Sequence, residues 1–156
     1  MDYVVYEDRP NTDIWIKLVF IVPPTLLLIP ALTLLKPDAE GASYFIYGAA
    51  GTGILMAIPF VFIMPTRYCI LNDKVRIEFR GPFAFNVPFN MITGISDARW
   101  STVGINFPTN LSQSNVLEIS RRRRMAVTIT PADKQAFADN FQKIFQDWKH
   151  QKGLMA

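Results

Sequence analysis

Four consecutive arginines lie between two segments with the pattern of β-strands: Arg121, Arg122, Arg123 and Arg124. Guanidinium groups form forked hydrogen bonds to carboxylates and phosphates, so this turn is typical of a site for an acidic protein or an anionic headgroup. A hairpin turn that only keeps its charges in water has the same pattern, and both interpretations stay open. Lys74, Arg76 and Arg80 form a second basic row on a predicted strand. Glu78 interrupts this row, which favours a plain solvent-exposed face.

Few other residues could carry catalysis or hold a metal. The chain has one cysteine, Cys69, and one histidine, His150, which cannot complete a zinc site without help from carboxylates. Cys69 lies in an apolar segment beside no obvious base, and no serine has the setting of a nucleophile elbow. We therefore predict no enzymatic activity, no cofactor and no metal. The arginines lack an interleaved aromatic platform, so nucleic acid is not an expected partner.

The net charge of +3 over 156 residues is unevenly distributed along the chain. Residues 1–66 hold three basic and six acidic residues, whereas residues 67–156 hold thirteen basic and seven acidic residues. The second part is therefore the one that favours an anionic surface or an acidic partner.

Two long apolar segments precede the basic part of the chain. The eighteen residues from Leu18 to Leu35 contain no charge, and the uncharged centre from Tyr44 to Met64 is of similar length. About 20 apolar residues in a helix cross the hydrocarbon core of a bilayer, so we predict a transmembrane hairpin over 14–66 after a cytoplasmic tail, 1–13. A cleaved signal peptide requires a basic leading region, but the residues before the first segment are mainly acidic. A buried helical pair requires a protein shell that the remaining residues cannot supply.

The loops of this hairpin predict its orientation. Basic residues follow the second segment, so both termini are expected in the cytoplasm, and the chain is expected to be a multi-pass protein of the inner (cytoplasmic) membrane. Ala49, Gly53 and Ala57 have the spacing that lets another helix approach closely. Neither apolar core contains an ionisable residue, which argues against a transporter.

After Pro65 the hydrophobic pattern has a period of two, and six or seven short strands are predicted. They are Arg67–Leu71, Lys74–Arg80, Phe83–Val87, Met91–Ala98, Val116–Ser120 and Met125–Thr130, with a less certain one near Val103–Phe107. Asn72 and Asp73 are typical of a turn between the first two. A helix follows, with Thr130 as its cap, Pro131 in its first turn and Asp133 in a variant of the capping box. Its apolar residues form one stripe, which we expect to close the sheet: Phe137, Phe141, Ile144, Phe145 and Trp148.

Three segments in this order resemble the bacterial pleckstrin-homology-like (PH-like) domains: Tyr68–Ile77, Asn86–Ile95 and Ile129–Asp133 with Phe137. Members of that family often follow a transmembrane hairpin. The resemblance implies an α+β membrane protein in which a PH-like antiparallel β-barrel or sandwich, 67–150, is closed by the C-terminal helix and followed by a short tail, 151–156. It implies no enzymatic activity and no fixed ligand.

These observations together predict a noncatalytic, membrane-anchored interaction module on the cytoplasmic face. Its expected partners are membrane lipids with anionic headgroups or a protein. The alternative is a small accessory or assembly subunit of a larger membrane protein complex, in which the small residues of the second segment pack against other subunits.

Overall fold

The computed structural model describes residues 3–14, 64–98, 104–107 and 115–153, together with the single positions 18, 47, 48, 51, 55, 62 and 109. The chain divides into two compact units, one formed by Met1–Thr12 with Met64–Ala156 and the other by Asp13–Ile63. The elements below all belong to the first unit.

Eight strands, one 3₁₀ turn and one α-helix are delimited among the described residues of this unit. They are β1 (Val4–Asp8), β2 (Pro65–Leu71), β3 (Lys74–Phe79), β4 (Ala84–Pro88), η1 (Phe89–Met91), β5 (Ile92–Asp97), β6 (Gly104–Asn106), β7 (Leu117–Arg121), β8 (Ala126–Ile129) and α1 (Lys134–Gln151). The first sheet has the order β1-β2-β3-β4, and the second has the order β5-β7-β8-β6. The turn η1 joins β4 to β5 and thereby carries the chain from one sheet to the other.

The first sheet follows the alternation in the sequence. In β3, Val75 and Ile77 are fully buried, whereas the charged residues that alternate with them, Lys74, Arg76 and Glu78, are only partly buried. Strands β2 and β3 form the hairpin predicted around Asn72 and Asp73, with Ile70 opposite Val75. Strand β1, in the segment predicted to be a tail, pairs antiparallel with β2 and was not predicted.

The second sheet contains a parallel pair that the sequence analysis did not predict. Strand β6 lies within the less certain segment 103–107 and runs parallel to β8, with Ile105 opposite Val127. This pairing requires glycine at position 104, because a Cβ there would lie 2.6 Å from the carbonyl oxygen of Ala126. Strands β7 and β8 form an antiparallel hairpin whose connection contains Arg122, Arg123 and Arg124.

Helix α1 covers the core with the predicted stripe. Phe137, Phe141 and Phe145 are buried, while Ile144 and Trp148 pack partly buried against the same core. The helix begins later than predicted, because the N-cap is Asp133, whose carboxylate accepts a hydrogen bond from the Ala136 N–H at 2.9 Å.

The chain around β1 accounts for this later start. The Ala132 N–H donates to the Arg9 carbonyl at 2.8 Å, and Pro131 forms an isolated bridge with Pro10. The Thr130 hydroxyl is buried against the hydroxyls of Tyr68 and Thr109, so it does not cap the helix. Residues 130–132 are therefore held by tertiary contacts before the first helical turn.

The predicted fold class, an α+β membrane protein with a two-helix transmembrane hairpin and an antiparallel β-barrel or sandwich capped by the C-terminal helix, is wrong. Within the described part of the chain the structure delimits a single α-helix, and no helix there is both long enough and apolar enough to cross a membrane. The single described positions from residue 14 to residue 62 have helical backbone. The strands form two four-stranded sheets, because η1 starts a separate sheet where a barrel would continue the first.

The same finding contradicts two further predictions, the multi-pass localisation in the inner membrane and the membrane anchor. Helix α1 has an apolar stripe on one side and exposed polar residues on the other, so it covers a protein core. Most residues of the two apolar segments, including Ala49, Gly53 and Ala57, lie outside the described residues.

Candidate functional site

The arginine turn, Arg121–Arg124, is fixed by its backbone and by one of its own side chains. Arg121 is the last residue of β7, opposite Ile92, and the Arg122 N–H donates to the Met91 carbonyl at 2.7 Å. The Arg121 Nε–H donates to the Met125 carbonyl at 2.6 Å and closes the turn. Arg123 has a left-handed backbone with a φ of 56°, which disfavours a residue with a Cβ. The turn therefore holds an unfavourable conformation through hydrogen bonds to Met91 in η1 and to Met125, the residue before β8.

The four arginines differ in their surroundings. Arg121 is partly buried, and its guanidinium lies 5.6 Å from the centre of the Phe85 ring. Burial, and to a smaller extent the positive charge of Arg124, lower the pKa of the Arg121 guanidinium. Arg122, Arg123 and Arg124 are exposed, and none forms an ion pair with a carboxylate of the described residues. Arg121 thus supports the turn, while the other three present their charges to solvent.

Two open clefts adjoin the arginine turn. The charged cleft, of about 350 Å³, is lined by Asn90, Met91 and Arg122–Arg124. The apolar cleft, of about 580 Å³, has a mainly apolar lining with several polar residues at its border: Phe85, Asn86, Pro88, Met91, Ile105, Arg121, Arg123, Arg124 and Met125. Met91, Arg123 and Arg124 line both clefts. The exposed guanidinium groups therefore lie between two concavities, each lined by both polar and apolar side chains.

The second basic row, formed by Lys74, Arg76 and Arg80, does not adjoin the two clefts of the arginine turn. Lys74 lies 4.0 Å from the Asp73 carboxylate, and Arg76 lies 3.2 Å from the Glu78 carboxylate. Arg80 is exposed in the bend after β3. None of the three basic residues lines either cleft, so the structure does not join this row to the arginine turn.

Several residues of the clefts were not predicted from the sequence. Asn90 and Met91 reach the arginine turn because β5 pairs with β7, and Ile105 reaches it because β6 pairs with β8. Both pairings join segments that are far apart in the chain, so no local pattern indicates them. Phe85 was predicted in a strand, but its contact with Arg121 depends on the meeting of the two sheets.

The residues with nucleophilic or metal-binding chemistry lie elsewhere in the described structure. Cys69 is buried in β2; burial, with a smaller contribution from Glu78, raises the pKa of its thiol to about 11. His150 is exposed in the last turn of α1. Burial also raises the pKa of Tyr68, whose hydroxyl lies 3.5 Å from that of Thr130. Among the described residues there is no group of three histidine, cysteine or acidic side chains placed to hold a metal ion.

The arginine turn is therefore the strongest candidate site, and it combines clustered charge, fixed backbone and adjoining clefts. The resemblance to the PH-like domains was inferred from short segments, and it stays a prediction. No protein-family model, curated protein or solved structure matches this chain.

Proposed function

We propose that the chain is a noncatalytic interaction module whose arginine turn binds an acidic segment of a protein partner. The observation that carries the proposal is the exposure of three adjacent guanidinium groups that have no carboxylate partner among the described residues. Each can form two parallel hydrogen bonds to a carboxylate, a geometry that an ammonium group does not offer.

The electrostatics of the turn support a ligand with several negative charges. A single exposed ion pair contributes only about 0.2–1 kcal/mol, so one carboxylate would bind weakly. Three like charges on consecutive residues also repel one another, and hydrogen bonds of Arg121 and Arg122 hold them together despite this repulsion. A segment with several carboxylates relieves the repulsion and forms several ion pairs at once.

The surroundings of the turn favour a protein partner over a free anionic headgroup. A headgroup would use only the guanidinium groups, whereas a polypeptide can use both these groups and the apolar cleft next to them. Arginine and methionine, both present here, are enriched at protein interfaces. The resemblance to PH-like domains, although it stays a prediction, agrees with a binding module that has no enzymatic activity.

A charge-matched pair of variants tests the proposal. The site variant carries Arg122→Gln, Arg123→Asn and Arg124→Gln, with asparagine at position 123 because it tolerates a positive φ. The control variant carries Arg9→Gln, Lys143→Gln and Lys152→Gln, which remove three exposed basic side chains outside the arginine turn. Each variant lowers the net charge of the full chain from +3 to zero.

Binding is measured by fluorescence anisotropy with a labelled oligoglutamate peptide. We expect the site variant to bind at least about tenfold more weakly than the original chain, and the control to bind within about twofold of it. Raising the salt concentration should weaken binding by the original chain. Equal losses in both variants, or no binding by the original chain, would contradict the proposal. Binding only to vesicles with an anionic lipid would replace the protein partner by a headgroup.

A further inference from the structure

We infer that the acidic segment recognised by the arginine turn carries a large apolar side chain next to its carboxylates. This inference rests on the proposed function and specifies its partner. The charged cleft and the apolar cleft share Met91, Arg123 and Arg124, so one short segment can reach both. An acidic sequence without an apolar residue would leave the exposed apolar side chains of the apolar cleft in contact with water.

The lining of the apolar cleft fits such a side chain. Met125 is 62% exposed although it is a large apolar residue, and Met91, Phe85 and Ile105 are partly exposed around it. Methionine side chains are flexible and polarisable, so they adapt to aromatic and aliphatic partners. Burial of these side chains by a partner removes apolar surface from water, which favours binding.

The size of the apolar cleft also agrees with this occupant. Its volume of about 580 Å³ lies within the range of about 300–1,000 Å³ found for clefts that hold small ligands. An aromatic side chain such as tryptophan is therefore not too large for it. The guanidinium groups at the border of the cleft can bind the carboxylates that flank this anchor, and they can also lie against its ring.

Two labelled peptides test the inference with the full chain. One is an oligoglutamate with a central tryptophan, and the other has serine at the same position. We expect the tryptophan peptide to bind the original chain at least about tenfold more tightly than the serine peptide. The substitution Met125→Ser should reduce this preference to about threefold or less.

The controls separate the cleft from general surface effects. Tyr3 is also 62% exposed, but it does not line the cleft, so Tyr3→Ser should leave the preference for tryptophan unchanged. Met125→Leu keeps an apolar side chain and should preserve most of the preference. Thermal unfolding of each variant verifies that the chain is folded before the peptides are compared.

The outcomes distinguish this inference from the function on which it rests. Equal affinity of the original chain for both peptides, with a large loss in the arginine variant, overturns the inference and leaves the proposed function in place. No binding of either peptide overturns both. An equal loss of preference in Met125→Ser and Tyr3→Ser overturns the assignment of the apolar side chain to this cleft.

Discussion

Replacement of Phe89 by alanine should cause a large loss of stability, because this residue connects α1 to the turn that supports the arginines. Phe89 is 1% exposed. Its ring makes edge-on contacts with Phe141, Phe145 and Trp148, with ring centres 5.9, 5.5 and 5.7 Å away. The next residues of η1 include Met91, whose carbonyl accepts the hydrogen bond from Arg122.

The expected magnitude follows from these contacts. A buried phenylalanine replaced by alanine typically costs about 3–5 kcal/mol, which includes the cavity that remains. The three aromatic pairs of Phe89, worth about 0.5–1.5 kcal/mol each, are already part of this cost, so we expect about 4 kcal/mol in total. Since domains of this size are stable by about 5–15 kcal/mol, this is a substantial part of the total.

Urea unfolding followed by far-ultraviolet circular dichroism measures this change in the free energy of unfolding. Phe83→Ala is the matched control, because Phe83 is 59% exposed, and its loss should cost less than about 1 kcal/mol. If Phe89→Ala costs no more than this control, the packing of α1 on η1 does not hold the domain together.

Three further predictions concern other parts of the first unit. Gly104→Ala should destabilise the chain by about 1–3 kcal/mol in urea unfolding, because its Cβ would lie 2.6 Å from the Ala126 carbonyl oxygen. Gly94→Ala is the control, because no atom lies within 4 Å of the added Cβ, and it should not cause a comparable loss of stability. Equal losses of stability in the two variants would refute the close approach of β6 to β8. Cys69 should react with a thiol reagent at pH 8 roughly a hundredfold more slowly in the folded chain than in urea, because its pKa is raised to about 11 from an ordinary value of 9.0. The folded chain keeps the Cys69 proton to a higher pH than the unfolded chain does, and the pKa of Tyr68 is raised as well. The free energy of unfolding should therefore fall as the pH rises above about 9. Fast labelling of Cys69 in the folded chain, or a free energy of unfolding that does not change at alkaline pH, would contradict the burial of Cys69.

Local patterns in the sequence predicted the elements whose residues interact with near neighbours. The alternation in Lys74–Phe79 predicted β3, and the turn at Asn72 and Asp73 predicted its hairpin with β2. The spacing of the aromatic residues predicted the buried face of α1. In each case a period of two or of about 3.6 residues directly reflects which side chains face the core.

Pairings between distant segments could not be predicted in the same way. Strand β1 joins β2 across more than fifty intervening residues, and its exposed Val4 and Val5 give no clear alternation. The parallel pairing of β6 with β8 depends on a single glycine at position 104. The candidate site could be predicted only in part. The four consecutive arginines are visible as a motif in the sequence, whereas the clefts around them are formed by tertiary contacts between distant segments.

The prediction of a membrane hairpin failed for a different reason. It used the length and hydropathy of two segments, which describe composition but do not establish where a helix begins and ends. Helix α1, which is delimited within the described residues, is amphipathic, and its apolar side covers β-strands and η1.

The most direct test of the account is a titration of the isotope-labelled full chain with the oligoglutamate peptide, followed by amide chemical shifts in nuclear magnetic resonance. We expect the largest shifts at the arginine turn and at Asn90 and Met91, with small shifts at Lys74, Arg76 and Arg80. Largest shifts along that second basic row, or small shifts spread evenly over the surface, would contradict the assignment of the arginine turn as the binding site.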